Sequence, residues 1–542
     1  MTLNAKYVHV ALSLRYLRNA ARRAGFRNVW LREFTIQAPL WKMAAELSVL
    51  RPEVLGFSIY IWNREQTLAL IELVKKQQPS ITVVIGGPEV SFEHGSPSPY
   101  VDEVIAGEGE LKWVELLQIR AAGGYPDAAT RARWAEYGTQ LPALEQLPYL
   151  EEDYADLEHR LVYLETSRGC PFTCSFCLSA LDKQVRFFPE EPVRGAVREL
   201  IERGARRIKF LDRTFNLGRG RVLRLFRWLA GFPAVQFHFE VVGDLLNEEL
   251  LAFLDQAPRG MFQFEVGIQT ADPEVHTRIE RKQNMEKLFA AIRRLREAGR
   301  VHLHADLIWG LPGETQESIR ASFETVLALR PHELQLGFLK FLPGAPIRRL
   351  IGEHGYVFQD RPPYELISHH ELSAEAVLEL KRFTEVFDLY YNSQKFQFTL
   401  GRLSAAVAPW ELFGRLADHF RDHGLLLPAH GLESLTEILL AVAEEWLPRS
   451  ELLDLLKLDY VINHRARRVP AFLKGDPLRM APALRARRKA RPEEILVPFA
   501  HRVELFDGRA ELTPANGPIW YAISYADAGE GYMFHPQFEA VD

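Results

Sequence analysis

Cysteine is nearly absent: three residues in 542. An odd number of thiols cannot form a closed set of internal disulfides, so a disulfide framework is excluded and a metal or redox site is the better reading. Long apolar runs are lacking too. None approaches the roughly 18–20 residues that cross a bilayer, and the opening MTLNAKYVHV has no secretory core, which predicts a protein without a membrane habit, in the cytoplasm. Charge of one sign is also missing. A formal net charge of -5 with 25% charged and 47% hydrophobic residues fits neither disorder nor a generally polyanionic partner. At about 100–200 residues per domain, the length implies several folded domains with cores of their own.

What is present is an alternation of strand and helix, twice over. In the first 120 residues the runs 28–36, 53–62, 81–87 and 101–108 are β-rich and separated by helix-length segments, the pattern of a doubly wound parallel sheet. Segment 121–158 dissolves into Gly, Pro and charge and reads as a linker. A second series, 161–167, 205–212, 235–242, 261–269, 301–310 and 334–344 with helices between, predicts a partial (β/α)6-type barrel over 159–348 whose working face lies at the strand C-termini. From 349 to 542 the chain reads as mainly helical, with short strands possible at 495–505 and 518–523.

All three thiols fall in RGCPFTCSFC, directly after the first barrel strand. Cys170, Cys174 and Cys177 are spaced C-x3-C-x2-C, so one loop can hold three corners of an iron–sulfur cube. Clusters that only carry electrons usually have four protein ligands, whereas three leave one iron open to chelate a substrate. Structural zinc is the alternative, but it needs a fourth ligand, and His159 and His238 have no tight ligand spacing to the cysteines.

This motif, at the end of a first barrel strand, resembles the radical S-adenosylmethionine superfamily. The resemblance implies a [4Fe–4S] cluster held by the three cysteines, S-adenosylmethionine on its open iron, and Phe176 beside the adenine. It also implies cofactor contacts from Asp212, Asn216, Glu240, Glu265 and Gln269 at downstream strand ends and from the backbone near Leu342. Any of these carboxylates could instead be a cap or a rim ion pair. Ahead of the barrel, Ser58 and the Gly86-Gly87 turn stand where an open α/β sheet binds its ligand and resemble the cobalamin-binding domain of B12-dependent members of that superfamily. The expected D-x-H-x-x-G is missing; Leu3 to His9 occupies its place, so cobalamin is expected without a protein imidazole on cobalt and His9 as a capping or packing residue. The chain begins almost where the first strand should have ended, so either a misassigned start or a shortened first strand is expected.

NAKYVHVALSLRYL and FDLYYNSQKF resemble one poorly characterised subfamily with its own C-terminal domain. In the longer run FDLYYNSQKFQFTL the aromatics Phe387, Tyr390, Tyr391, Phe396 and Phe398 could floor a pocket or pack helices. Between Arg465 and Arg502 eleven Lys or Arg face three Asp or Glu; without a nucleic-acid motif this reads as a solvated basic face. The resemblance implies a cobalamin-dependent radical enzyme, in the first place a methyltransferase acting on an unactivated carbon through a 5′-deoxyadenosyl radical, fed by a low-potential donor such as flavodoxin or ferredoxin. Radical cyclisation or rearrangement without methylation, and a cobalamin and iron–sulfur sensor, are the alternatives.

Overall fold

A computed structural model of the chain describes residues 1–92, 97–147, 157–463, 469–474, 481–491, 495–506, 509–525 and 536–541. It divides into two units, Met1–Glu314 with Gly337–Glu371, and Thr315–Leu336 with Leu372–Asp542.

The first unit begins with the short strand Thr2–Asn4, paired in parallel with Glu33–Thr35. Three further parallel strands follow, Val54–Ser58, Thr82–Gly86 and Glu103–Ile105. The two sets join where Ser58 N donates to Met1 O at 3.0 Å. VLGFS and TVVIG are apolar almost throughout because helices cover both faces of such a sheet. Leu12–Arg23 stops just before Gly25, and Arg64–Gln77 stops two residues short of Pro79. The sequence pattern predicts helices over 11–25 and 67–78; the first observed helix lies inside its segment and the second starts three residues earlier.

The Gly- and Pro-rich stretch after residue 121 departs from the sequence reading, because it contains the helix Ala128–Ala135. Asp127 caps it by accepting from Thr130 N, and Trp134, fully buried, packs with Val84, Ile105 and Leu116. One deeply buried indole orders a segment whose composition looks like loop. The part of the linker at 148–156 lies outside the described residues.

The second sheet has six parallel strands in sequence order: Leu161–Leu164, Arg207–Phe210, Gln236–Val241, Phe262–Gln269, His302–Trp309 and Glu333–Phe338. Residues alternate along each strand. One face carries Phe210, Phe239 and Phe264, packed on Phe226 of the helix Arg219–Leu229 or on one another. The other face carries Tyr163, Lys209, His238, Glu240, Glu265 and Asp306, and by the two-residue period of a strand it faces the lumen. The free edge of the first barrel strand is met by the N-terminal segment, where Leu161 N donates to Val8 O at 2.8 Å and His9 bridges Leu161.

The second unit is mainly helical, with Ala374–Phe387, Pro409–Asp422, Leu432–Ala443 and Arg449–Asn463 as its longer helices and a three-stranded antiparallel sheet, Ile495–Phe506, Arg509–Tyr525 and Pro536–Val541. The aromatics of FDLYYNSQKF serve packing. Tyr390 Oη donates to Leu435 O at 3.0 Å, Tyr391 Oη to Pro331 O at 2.6 Å, and Phe387 stacks among Phe323, Phe383 and Phe413. Parts of the basic stretch, 464–468, 475–480 and 492–494, lie outside the described residues. Among the described residues no helix is long and apolar enough to cross a membrane.

Candidate functional site

The cysteine loop leaves the first barrel strand through Ser167–Arg168, which pairs antiparallel with Arg186–Phe187. Gly169 turns there at φ 88°, and a Cβ would stand 2.4 Å from Gln184 O, so only glycine fits. Cys170 N then donates to Asp182 O at 2.8 Å and Cys177 N to Cys174 O at 3.0 Å. Three further bonds stitch the loop to later chain: Thr173 Oγ1 to Glu280 O at 3.1 Å, Ser175 N to Ile279 O at 2.9 Å, and Ile347 N to Ser175 O at 2.7 Å. Cys170 and Cys174 are buried and Cys177 is half-buried.

Burial pushes the Cys174 thiol up, as do the neighbouring Cys177 and Cys170, while the Arg281 guanidinium pulls it back. Arg281 Nη1 donates to Cys174 Sγ at 3.4 Å, and its Nη2 donates to Gly267 O at 2.5 Å. Nothing local in the sequence marks Arg281, which lies 107 residues from Cys174. Among the described residues no three His, Cys, Asp or Glu side chains are placed for a single metal ion; thiolates on separate corners of a cube do not converge in that way.

Asp212 is fully buried beneath the loop. Its Oδ2 accepts from Thr166 N at 2.8 Å and its Oδ1 from the Thr166 and Ser167 hydroxyls at 2.5 and 2.6 Å. Burial raises its pKa and these bonds offset part of the rise. Asp212 therefore fixes the strand end from which the cysteines hang. Asp212→Ala leaves three buried donors without an acceptor and is expected to cost about 3 kcal/mol or more of stability and to lower iron uptake; an unchanged urea midpoint with full iron loading would contradict this role. Asn216 is spent on Val242, donating to its carbonyl at 2.8 Å and accepting from its N–H at 2.9 Å.

In the lumen Glu265 receives His238 Nε2 at 2.9 Å and Lys209 Nζ at 2.8 Å. Burial alone would raise its pKa, but those two partners hold it well below the usual carboxylate range. Glu240, 3.8 Å from Lys209, and Asp306 are both raised, first by burial. Lys209 was not singled out by sequence reasoning, although a lone lysine between Ile208 and Phe210 in a strand is the kind of signal that marks a lumen charge. Gln269 sits at φ 73° beside a register shift in its strand, and its buried Oε1 has no hydrogen-bond partner.

A cavity of about 1900 Å³ runs through this unit. Ser58, Gly86, Gly87, Phe176, Cys177, Glu240 and Leu342 all line it, while Cys170, Cys174, Asp212, Asn216, Glu265 and Gln269 are not among its lining residues. Sites for one drug-sized ligand run to roughly 300–1,000 Å³, so this volume suits more than one group. At its sheet end Gly87 takes φ 104°, and a Cβ there would lie 2.5 Å from Ile59 O; one on Gly86 would lie 3.2 Å from Ile105 O. Glycine is thus required here by the close approach of the sheet's own backbone, and the turn so formed lines the cavity. His9 also lines the cavity. Its Nδ1 is 2.6 Å from Tyr163 Oη, and burial, then Lys6 and Lys209, lower its pKa.

The chemistry of the donor set fits a [4Fe–4S] cluster with S-adenosylmethionine: three clustered thiols with a cation on one of them, and buried oxygens of Gln269 and Ser175 without partners. At the other end Ser58 and the Gly86-Gly87 turn line the same cavity, whose volume leaves room for a second large ligand.

Comparisons with known proteins agree with this geometry. Residues 1–117 match the B12 binding domain, residues 164–326 the radical SAM superfamily, and residues 352–497 a protein family of unknown function, DUF4080. The chain is similar to the cobalamin-dependent radical SAM methyltransferase TokK of Streptomyces tokunonensis, at 29% identity over 57% of this chain and 50% of TokK. It is similar to the 2-(S-pantetheinyl)-carbapenam-3-carboxylate methyltransferase of Streptantibioticus cattleyicolor, at 28% over 56% and 49%. The chain spans about half the length of these curated relatives. In fold it resembles the cobalamin-dependent S-adenosylmethionine radical enzyme OxsB, solved with aqua-cobalamin and S-adenosylmethionine, with a TM-score of 0.60 at 14% identity over 91% of this chain and 83% of OxsB. The chain thus carries a B12-binding domain over residues 1–117 ahead of a radical SAM domain over residues 164–326, and the cofactors of these domains are cobalamin, a [4Fe–4S] cluster and S-adenosylmethionine.

Proposed function

We propose that this protein is a cytoplasmic radical S-adenosylmethionine C-methyltransferase that acts on an unactivated carbon and draws electrons from a low-potential donor such as flavodoxin or ferredoxin. The observation that carries the reading is the single cavity on which Ser58, Gly86 and Gly87 of the first sheet and Phe176, Cys177 and Glu240 of the barrel all open, so that two cofactors and a substrate share one chamber. The named activities of TokK and of the carbapenam-carboxylate enzyme support methyl transfer. Bound there, the cluster with S-adenosylmethionine supplies reductive carbon–sulfur cleavage and hydrogen abstraction, and cobalamin supplies the methyl group.

The chain's own residues bind and orient. Cys170, Cys174 and Cys177 hold iron, and the Arg281 guanidinium favours the Cys174 thiolate. Phe176, Glu240 and the Leu342 backbone, which line the chamber, would receive S-adenosylmethionine, while Ser58, Gly86 and Gly87, which line its other end, would receive cobalamin. Glu265 and Lys209 pair across the lumen wall at 2.8 Å, so their charges offset each other there. The apolar share of the chamber wall excludes water from the reacting carbon.

Anaerobically reconstituted protein, reduced by dithionite or a flavodoxin system and given a metabolite extract, tests this by chromatography of two products. Methylation predicts 5′-deoxyadenosine and S-adenosylhomocysteine together. Deoxyadenosine with little S-adenosylhomocysteine identifies a cyclase or rearrangement instead, S-adenosylhomocysteine alone a polar methyl transfer, and neither product a sensor; each of these overturns the proposal.

A further inference from the structure

A buried ion cluster joins the two cofactor ends of the cavity. Arg168 immediately precedes Gly169 and Cys170, and its side chain is only 13% exposed. Its Nη1 donates to Glu108 at 2.6 Å, its Nη2 to Glu110 at 2.8 Å, and its Nε to Glu165 at 2.9 Å. Tyr16 and Phe188 lie over the guanidinium, at 5.1 and 5.7 Å from ring centroid to Cζ. Arg186, paired with Arg168 across the two-residue ladder, also grips Glu108 and stands 3.9 Å from Asp182, whose carbonyl holds Cys170 N.

Glu108 lies in the turn that follows the sheet strand Glu103–Ile105, and Glu110 opens the helix Glu110–Ala121. Gly107, Glu108, Gly109 and Glu110 all line the cavity, as do Glu165, Arg168 and Gly169. One guanidinium therefore bonds the turn on the cobalamin side to the residue that starts the cysteine loop. Arg186 reaches Glu108 as well, while Arg168 spans Glu108, Glu110 and Glu165 together, and taking its charge away leaves three closely set carboxylates that repel one another out of water.

We propose that Arg168 is a positioning residue that makes cluster loading and cobalamin binding interdependent, so that each cofactor binds more tightly when the other is in place. Ordering the cysteine loop around iron would set Arg168, and Arg168 in turn sets the cavity-lining Gly107–Glu110 segment, which would meet cobalamin bound there. Linkage of this kind is reciprocal. The inference rests on the two cofactors alone, not on the reaction, and its test measures no product, so it stands or falls separately from methylation.

The test is hydroxocobalamin titration of the full chain, with the cluster reconstituted and with it removed by chelation. In the wild type the loaded form is expected to bind about tenfold more tightly, inside the roughly 5–150-fold range of coupled sites. Arg168→Lys keeps the charge but cannot span two carboxylates as a planar fork does, and the ratio should fall toward one while iron still loads. The double variant Glu108→Gln with Glu110→Gln approaches the same contact from the other side and should behave alike. A merely structural role would weaken cobalamin in both forms and leave the ratio unchanged. That result in either folded, iron-loaded variant, or a ratio of one in the wild type, overturns the proposal.

Discussion

Cys174→Ala is expected to yield protein that folds, takes up almost no iron or sulfide, and forms no 5′-deoxyadenosine. The cluster already stands one ligand short of the four that electron carriers use, so a second loss leaves two thiols to hold a cube. Cys174 is also the one thiol with a cation on it. Its removal strands the Arg281 guanidinium, which donates 3.4 Å away, in a place built for a thiolate. Anaerobic reconstitution with iron and sulfide analysis reads the effect directly: about four irons per wild-type chain against near zero. Full iron content in this variant would mean that the cluster hangs on other residues. Ser58, Gly86 and Gly87 come from a different sheet, so cobalamin should still bind, weakened only by the linkage through Arg168.

Gly87→Val strikes the other end. A valine there must adopt φ near 104° with its Cβ 2.5 Å from Ile59 O and 3.0 Å from Ile59 N, and backbone cannot yield as a flexible side-chain tip does. Holding a non-glycine residue in such a region costs about 1–3 kcal/mol, before the collision is counted. The collision is with the protein's own backbone and is there with or without cobalamin, so a lower melting temperature is expected first, and cobalamin affinity falls, by tenfold for each ~1.4 kcal/mol, as the displaced turn withdraws from the ligand. Iron loading should stay close to wild type. Gly204→Ala is the control: φ is 101° there too, but a Cβ meets nothing within 4 Å and the residue lies off the cavity, so the change should lower stability modestly and spare cobalamin. Wild-type stability in Gly87→Val would contradict the close backbone approach at this turn.

The sequence reading reached the strand order and the cysteine loop because both are local. Apolar runs with period two, broken by helix-length segments, announce six barrel strands, and three thiols within eight positions announce their own chemistry. What it did not reach is made by distance. Arg281 meets Cys174, and Arg168 meets Glu108 and Glu110, only after the sheets have folded. Asp212 and Asn216 were expected at strand ends and stand there, yet their polar atoms bond Thr166, Ser167 and Val242, since an inward position in a strand does not say which neighbour will claim a carboxylate or an amide. The Ala128–Ala135 helix escaped because its order comes from Trp134 packing into a core supplied by earlier strands, not from its own composition.

That cobalamin and the cluster share one chamber is tested most directly by paramagnetic resonance of protein carrying both cob(II)alamin and the reduced cluster. Two paramagnets in a common cavity lie close enough to interact, so the doubly loaded sample should show signals broadened or split relative to samples holding either cofactor alone, and filling the second site should change the relaxation of the first. A doubly loaded spectrum equal to the plain sum of the two single ones, with unchanged relaxation, would place the cofactors apart and contradict the shared chamber.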